Sequence, residues 1–332
     1  MNRLREKQAA LEAATRAAQL CGYVRAEMAT PDTLQKSDSS PVTVADLSAQ
    51  ALVCELLQQR FPQDPIVAEE DSTELRQPEN ARTLSRVTQY VRRFKPEATS
   101  ADVCRWIDGW KRSVAPRFWT LDPLDGTKGF LRHDQYAVAL ALIEDGQVSV
   151  AVLACPALPL NLSNPGSDLG ALFVAVKGAG AWMSSLEGSV FVPIQVALDG
   201  DSSRLRFLES VESAHGNPRL QEGIAKALRI EAPALKMDSQ AKYGVLARGD
   251  AALYLRLPSP ESPHYREKIW DHAAGSLIVE EAGGCVTDMH GKRLDFTSQA
   301  RMEHNFGVVA SNGMVHEAVL AELAHLAGQP RG

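Results

Sequence analysis

The chain has 332 residues, 45% apolar and 23% charged, enough to bury a full core without a disulfide frame or a structural metal. Its formal net charge is −6 with lysines and arginines scattered, which excludes a surface built for a nucleic acid polymer and leaves any anionic ligand to be met locally. Five cysteines without a C-x-x-C pair read as reduced thiols, and no apolar run reaches the length of a membrane span, so the expectation is a soluble cytoplasmic enzyme with no membrane partner.

Leu4, Leu11, Ala14, Ala18 and Cys21 recur at helical spacing and predict an amphipathic helix over 3–28. The polar stretch TPDTLQKSDSSPV reads as a loop, with Asp38 near its middle. Leu47, Ala51, Cys54, Leu57 and Phe61 then predict a second helix, with Asp46 as its N-cap. PIVAEED reads as a short buried strand ending in Glu69 and Glu70, while residues 72–115 are charged and mixed, a helix between loops. Tyr136, Val138, Leu140 and Leu142 alternate, Asp145-Gly146 turns the chain, and Val148, Val150 and Val152 alternate again: a hairpin. Another strand pair surrounds KGAGAW, where Gly178 and Gly180 serve a turn. From about residue 200 strands and helices alternate, which predicts a parallel or mixed sheet, and a long helix runs from Asp271 to Gly283-Gly284.

The segment WTLDPLDGTKGF carries the strongest chemical signal. Pro123 favours the second position of a tight turn, and such a turn would aim Asp122 and Asp125 at one point with the Leu124 carbonyl as a third oxygen. Hard oxygens gathered at one bend suit Mg²⁺. Gly126 permits close backbone approach, and Thr127 stands where a helix begins, so its N–H could meet a phosphate oxygen. Each acid also has an ordinary structural reading. D-P-x-D-G is a common surface turn, Glu69 after a strand is solvated, and Asp46 and Asp271 are helix caps.

Taken in order, SPVTVAD, IVAEED, DPLDGT and WDHAAG resemble the inositol monophosphatase superfamily of lithium-sensitive, magnesium-dependent phosphatases. The longer runs KSDSSPVTVAD, WTLDPLDGTKGFLR, MDSQAKYGVLARGDA and YREKIWDHAAG are similar to its bisphosphate nucleotidase branch of the yeast and plant type. The resemblance implies an α/β fold of layered α/β/α/β/α arrangement. An α+β half over 1–197 would carry most metal ligands and an α/β half over 198–332 would supply Asp271, with the cleft between them.

The resemblance also implies roles. Glu69, Asp122, the Leu124 carbonyl, Asp125 and Asp271 would hold two or three Mg²⁺. Asp46 and the Thr127 hydroxyl would orient and deprotonate the attacking water, and the Gly126 and Thr127 amides would take the phosphate. His215, Ser239, Lys242 and Arg256, together with Asp271, would line the nucleotide side. The substrate implied is a small nucleotide, adenosine 3′,5′-bisphosphate or its 5′-phosphosulfate relative. Gathered carboxylates repel without cations, so a metal site gives them a reason to meet. Uncatalysed phosphate-monoester hydrolysis is slow enough that enhancements reach ~10²¹, far beyond the ~10²–10⁴ of one acid–base group.

Two departures stand out: Ala68 where the family has glycine, and Leu124 where it has isoleucine. Apart from the resemblance, Lys242 on a helix reads as solvated, Arg256 as paired with an acid, and His215 as a structural residue. Two rivals share the pattern: an inositol phosphate or fructose 1,6-bisphosphate phosphatase on the same metal core, and a non-catalytic metal- or nucleotide-binding regulator.

Overall fold

The computed structural model describes residues 3–28, 33–35, 41–109, 113–164, 166–198, 205–211, 217–259 and 261–327. Helix α1 (Leu4–Glu27) buries Ala9, Ala10, Ala13, Ala14, Ala17 and Ala18, a stripe whose small side chains let its backbone lie close to its neighbours. The stretch expected as a loop is in part a two-stranded ladder, β1 (Thr33–Gln35) antiparallel to β2 (Pro41–Thr43). A pairing so short needs only backbone groups, and polar composition hides it. Asp38 lies outside the described residues.

Helix α2 (Val44–Arg60) begins two residues before the expected cap. Its N-cap is Thr43, and Asp46 stands at the third helical position of a capping box. The Thr43 hydroxyl accepts from the Ala45 and Asp46 N–H groups while the Asp46 carboxylate accepts from the Thr43 N–H, so the helix's orphan donors are met reciprocally. The region 72–115 holds two α-helices rather than one: α3 (Ala81–Arg92) and α4 (Ser100–Asp108), the latter with its own Thr99/Asp102 capping box.

A seven-stranded sheet follows in strict sequence order: β3 (Ile66–Ala68), β4 (Arg117–Asp125), β5 (Ala137–Glu144), β6 (Gln147–Pro159), β7 (Leu169–Val176), β8 (Ala181–Ser185) and β9 (Val192–Pro193). Only β3–β4 is parallel. The Asp145-Gly146 hairpin and the Gly178/Gly180 turn stand as expected, with positive φ at all four residues. Both faces of the sheet are covered, which is why β5 reads as a nearly unbroken apolar run. Val138, Leu140 and Leu142 face the side of α1 and α2, and Ala137, Ala139, Ala141 and Ile143 face the other.

Across that second face lie α7 (Ala241–Ala247) and α8 (Ala273–Glu281). Beyond them a mixed five-stranded sheet runs in the order β11-β10-β12-β14-β13. Its strands are β10 (Phe207–Glu209), β11 (Leu235–Lys236), β12 (Leu253–Arg256), β13 (Cys285–Thr287) and β14 (Val308–Ser311). The β10 pairings are parallel and those of β14 antiparallel. Its outer face is closed by α6 (Pro218–Ala227) and α9 (His316–Ala327) through Ile224, Val319 and Leu323. The result is the expected α/β/α/β/α layering.

Helix α8 is shorter than expected and starts after Asp271, not at it. Asp271 ends a single 3₁₀ turn (Ile269–Asp271), and His272, at φ −135°, breaks the helical path before Ala273. Among the described residues no helix is long and apolar enough to cross a membrane.

Candidate active site

The acids converge because of local sheet geometry. Ala68 pairs with Leu121, and the Glu69 N–H continues the ladder to the Leu121 carbonyl at 3.2 Å, so Glu69 comes to lie beside Asp122. Gln50 of α2 holds this segment: its amide nitrogen donates to the Glu70 carbonyl at 2.6 Å, and its amide oxygen accepts from the Glu70 N–H at 3.0 Å.

The D-P-L-D segment is not the tight turn its composition predicts. Strand β4 runs through it with a β-bulge: Asp122 pairs with Ala139 and Asp125 with Ala137, three steps against two. Pro123 lacks an N–H to give to the ladder, and a bulge tolerates that. Strand faces alternate with period two, so residues three apart ordinarily point oppositely. The extra residue resets the alternation. Leu121 and Leu124 both enter the core toward α1 and α2, which leaves Asp122 and Asp125 to the opposite, cleft side. The Leu124 N–H donates to Asp122 Oδ1 at 3.0 Å and fixes that carboxylate.

Gly126 adopts φ +87°, where a Cβ would meet Ser239 Cβ at 3.0 Å and the Gln135 carbonyl at 3.1 Å. Only glycine fits that approach without strain. Helix α5 (Thr127–Leu131) starts immediately after it. The Thr127 hydroxyl lies 3.2 Å from Asp46 Oδ1 and 3.3 Å from the Leu124 carbonyl, and can donate to either. The other oxygen of Asp46, Oδ2, is already engaged by the N–H and hydroxyl of Thr43. Gln240 joins the Asp125 segment to the turn that ends in Asp271. Its backbone N–H donates to Asp125 Oδ2 at 2.5 Å, and its side-chain amide donates to the Trp270 carbonyl, next to Asp271, at 2.9 Å.

The electrostatics show how close the acids come. Desolvation, then the charges of Glu69, Asp125 and Asp271, push the Asp122 carboxyl well above the usual range. Desolvation and then Asp125, Glu69 and Glu267 do the same to Asp271, against Arg256. Asp125 is raised less: desolvation lifts it, and Lys242 and the Gln240 N–H hold it down. Carboxylates forced together in this way, with the Leu124 carbonyl, are a hard-oxygen donor set whose repulsion a divalent cation would relieve, and they fit Mg²⁺.

Lys242 is not the solvated helix lysine its position suggests. It is 3% exposed, donates to the Met237 carbonyl at 3.1 Å and lies 5.2 Å over the Tyr254 ring. Burial pulls its ammonium down to about 8, with Asp125 opposing. Arg256 does pair with an acid, its Nε donating to Glu267 Oε1 at 3.2 Å. Burial works against its charge, but Glu267, Tyr254 and Asp271 hold the guanidinium above its ordinary value. Ser239 is buried at φ +65°, beside Gly126. His215 lies outside the described residues.

Several residues here went unread in the sequence. Thr43 had a signal, the T-x-x-D spacing of a capping box. Gln50 and Gln240 had none, because their partners are backbone groups 20 and 30 residues away. Glu267, His272 and Tyr243 form a buried chain in which His272 Nε2 lies 3.3 Å from Glu267 Oε2 and His272 Nδ1 2.7 Å from the Tyr243 hydroxyl. Polar atoms of Glu267, Asp271 and His272 fall within 4.8 Å of one another. Within that trio both histidine nitrogens and both Glu267 oxygens already have protein partners.

The chain matches the model of the inositol monophosphatase family over residues 5–327. It is 43% identical to a 3′(2′),5′-bisphosphate nucleotidase of Oryza sativa, across 95% of this chain and 92% of the relative. It is also 43% identical to one of Schizosaccharomyces pombe, across 96% and 95%, and 45% identical to one of Arabidopsis thaliana, across 84% of each. Among solved structures, an IMPase from Thermotoga maritima superposes with a TM-score of 0.65 at 20% identity over 98% of both chains. CysQ from Bacteroides thetaiotaomicron gives 0.61 at 22% identity over 93% of this chain and 97% of that one. At such identities the structures establish the fold, and the whole-chain match settles the lineage: this protein belongs to the inositol monophosphatase family.

Proposed function

We propose that the chain is a magnesium-dependent 3′(2′),5′-bisphosphate nucleotidase that releases the 3′-phosphate of adenosine 3′,5′-bisphosphate, with 3′-phosphoadenosine 5′-phosphosulfate as a further substrate. The relatives of that name, matched over nearly the whole chain, support the substrate class. One observation carries the chemistry: the Thr127 hydroxyl lies within reach of Asp46 Oδ1, beside a cluster of mutually repelling carboxylates.

Glu69, Asp122, the Leu124 carbonyl, Asp125 and Asp271 would hold two or three Mg²⁺. When bound, Mg²⁺ supplies polarisation of the phosphoryl group and neutralises developing charge. The remaining work belongs to the chain itself. With Thr43 held on Asp46 Oδ2, Oδ1 is the oxygen that faces the Thr127 hydroxyl and would accept its proton. The Thr127 hydroxyl passes its proton to that oxygen while taking one from the attacking water. The Gly126 and Thr127 amides orient the 3′-phosphate. Ser239, Lys242, Arg256 and His215 line the nucleotide side, with Arg256 gripping the second phosphate through its planar fork and Lys242 acting as a point charge. The cleft lies between a half spanning 1–197 and a half spanning 198–332. Cys21, Cys54, Cys104 and Cys155 are buried thiols, and a cytoplasmic setting belongs to this reading.

Phosphate release with Mg²⁺, compared among adenosine 3′,5′-bisphosphate, inositol 1-phosphate and fructose 1,6-bisphosphate, tests this reading. A kcat/KM preference for the nucleotide that disappears with Mg²⁺ is the expected result. Preference for a sugar or inositol phosphate would keep the metal chemistry and discard the nucleotide side. No turnover on any of the three would favour a binding protein.

A further inference from the structure

Glu267 is 5% exposed, on the segment between β12 and the 3₁₀ turn that carries Asp271. Its two oxygens are divided: Oε1 accepts from Arg256 Nε at 3.2 Å, and Oε2 faces His272 Nε2 at 3.3 Å. Behind His272 stands the Tyr243 hydroxyl, 2.7 Å from Nδ1. Tyr243 is fully buried, and its ring lies so near α8 that a Cβ on Gly275 would come within 2.1 Å of it. This end of the chain of contacts is therefore rigid, held by close packing between α7 and α8.

The other end is open. Arg256 is partly exposed, with its side chain at 19%. Among the described residues its hydrogen bond is the one from Nε. That contact fixes the plane of the guanidinium while leaving the two terminal nitrogens for an anion. A carboxylate that held both terminal nitrogens would instead consume the fork.

We propose that Glu267 is a positioning residue that aims Arg256 at the substrate's second, non-reacting phosphate and so sets the preference for bisphosphates over monophosphates. The inference rests on the reading of Arg256 as a phosphate contact. It assigns the buried Tyr243–His272–Glu267 chain a role in selectivity, not in hydrolysis.

The test is steady-state kinetics on adenosine 3′,5′-bisphosphate and adenosine 3′-monophosphate with Mg²⁺, for the wild type, Glu267→Ala, Glu267→Gln, Arg256→Ala and the Arg256→Ala/Glu267→Gln double variant. Glu267→Ala should raise KM for the bisphosphate about tenfold, one charge-assisted hydrogen bond's worth of binding, and change the monophosphate constants far less. Glu267→Gln, which keeps a neutral acceptor for Arg256 Nε but loses the charge, should recover only part of that loss. In the Arg256→Ala background Glu267→Gln should change the bisphosphate-to-monophosphate ratio no further. If Glu267→Ala does not fold, the Gln variant and the double variant decide alone. Equal losses of kcat on both substrates, or additive effects in the double variant, would overturn the inference. A wild type that favours inositol phosphate over either nucleotide would instead overturn the nucleotidase reading beneath it.

Discussion

Asp46 divides its carboxylate between two contacts, so that in the proposed mechanism a single residue couples stability to chemistry. Oδ2 completes the α2 capping box and Oδ1 faces the Thr127 hydroxyl. Asp46→Asn should lower kcat by ~10²–10⁴-fold while Mg²⁺ binding, read by calorimetry, survives. Turnover near wild type would remove Asp46 from the proton path. Thr43→Ala should cost about 1 kcal/mol through the lost cap and also lower kcat, because Asp46 Oδ2 loses its hydroxyl partner. Thr43→Ser should restore both, as chemical denaturation and assay together would show. Gly126→Ala should destabilise by ~1–2 kcal/mol, the cost of a Cβ in the left-handed region, and cut activity by displacing Ser239 or the Gln135 carbonyl. At this scale the acids stood out in the sequence, Glu69 after an apolar strand and Asp122 and Asp125 about Pro123-Leu124, although Asp271 ends a 3₁₀ turn rather than opening a helix. The state of Lys242 was not: a seven-residue helix reads as surface, and nothing local tells that Tyr254 and Met237 enclose it.

The elements were readable in proportion to how local their causes are. The 145–146 hairpin needs two residues of positive φ, and Asp-Gly supplies them. The start of α8 depends instead on His272 turning away to meet Glu267 and Tyr243, contacts no helical periodicity records. Residues 72–115 concealed α3 and α4 because both are amphipathic helices with broad polar faces. Packing between α7 and α8 gives a prediction of its own. Gly275→Ala places a methyl group against the Tyr243 ring, an overpacking worth about 1–3 kcal/mol. Thermal unfolding should register the loss, and an unchanged midpoint would show that the Tyr243 ring is free to move.

For the whole molecule, the acids are the conflict that folding creates. Asp122 and Asp125 belong to the seven-stranded sheet, and Asp271 to a 3₁₀ turn far along the chain that packs against β4, β5 and α8. Gln240 ties them across 115 residues of sequence. Such convergence is invisible to any local reading, and only the ordered resemblance of four motifs announced it. Without a cation, the carboxyls of Asp122, Asp125 and Asp271 hold protons above their ordinary range. A carboxyl raised in the folded state contributes stability that is fully present below its unfolded value and is lost as pH rises through the raised one. The metal-free protein should therefore lose stability from the mildly acid range upward, while Mg²⁺ opposes the loss by binding the ionised form. The rise in Tm on adding Mg²⁺ should be larger at pH 8 than at pH 5.5. A rise independent of pH would mean that these carboxyls are not where the metal binds.

The bulge in β4 has a consequence best put in terms of frame. The interval between Asp122 and Asp125 works like a reading frame, in which one inserted step decides which face every later side chain meets. Straightening the bulge with all three steps kept would leave every residue in its place in the sequence, yet turn the carboxylates back to back. A relative whose strand ran straight here could match this protein at every position, and it would be a different machine.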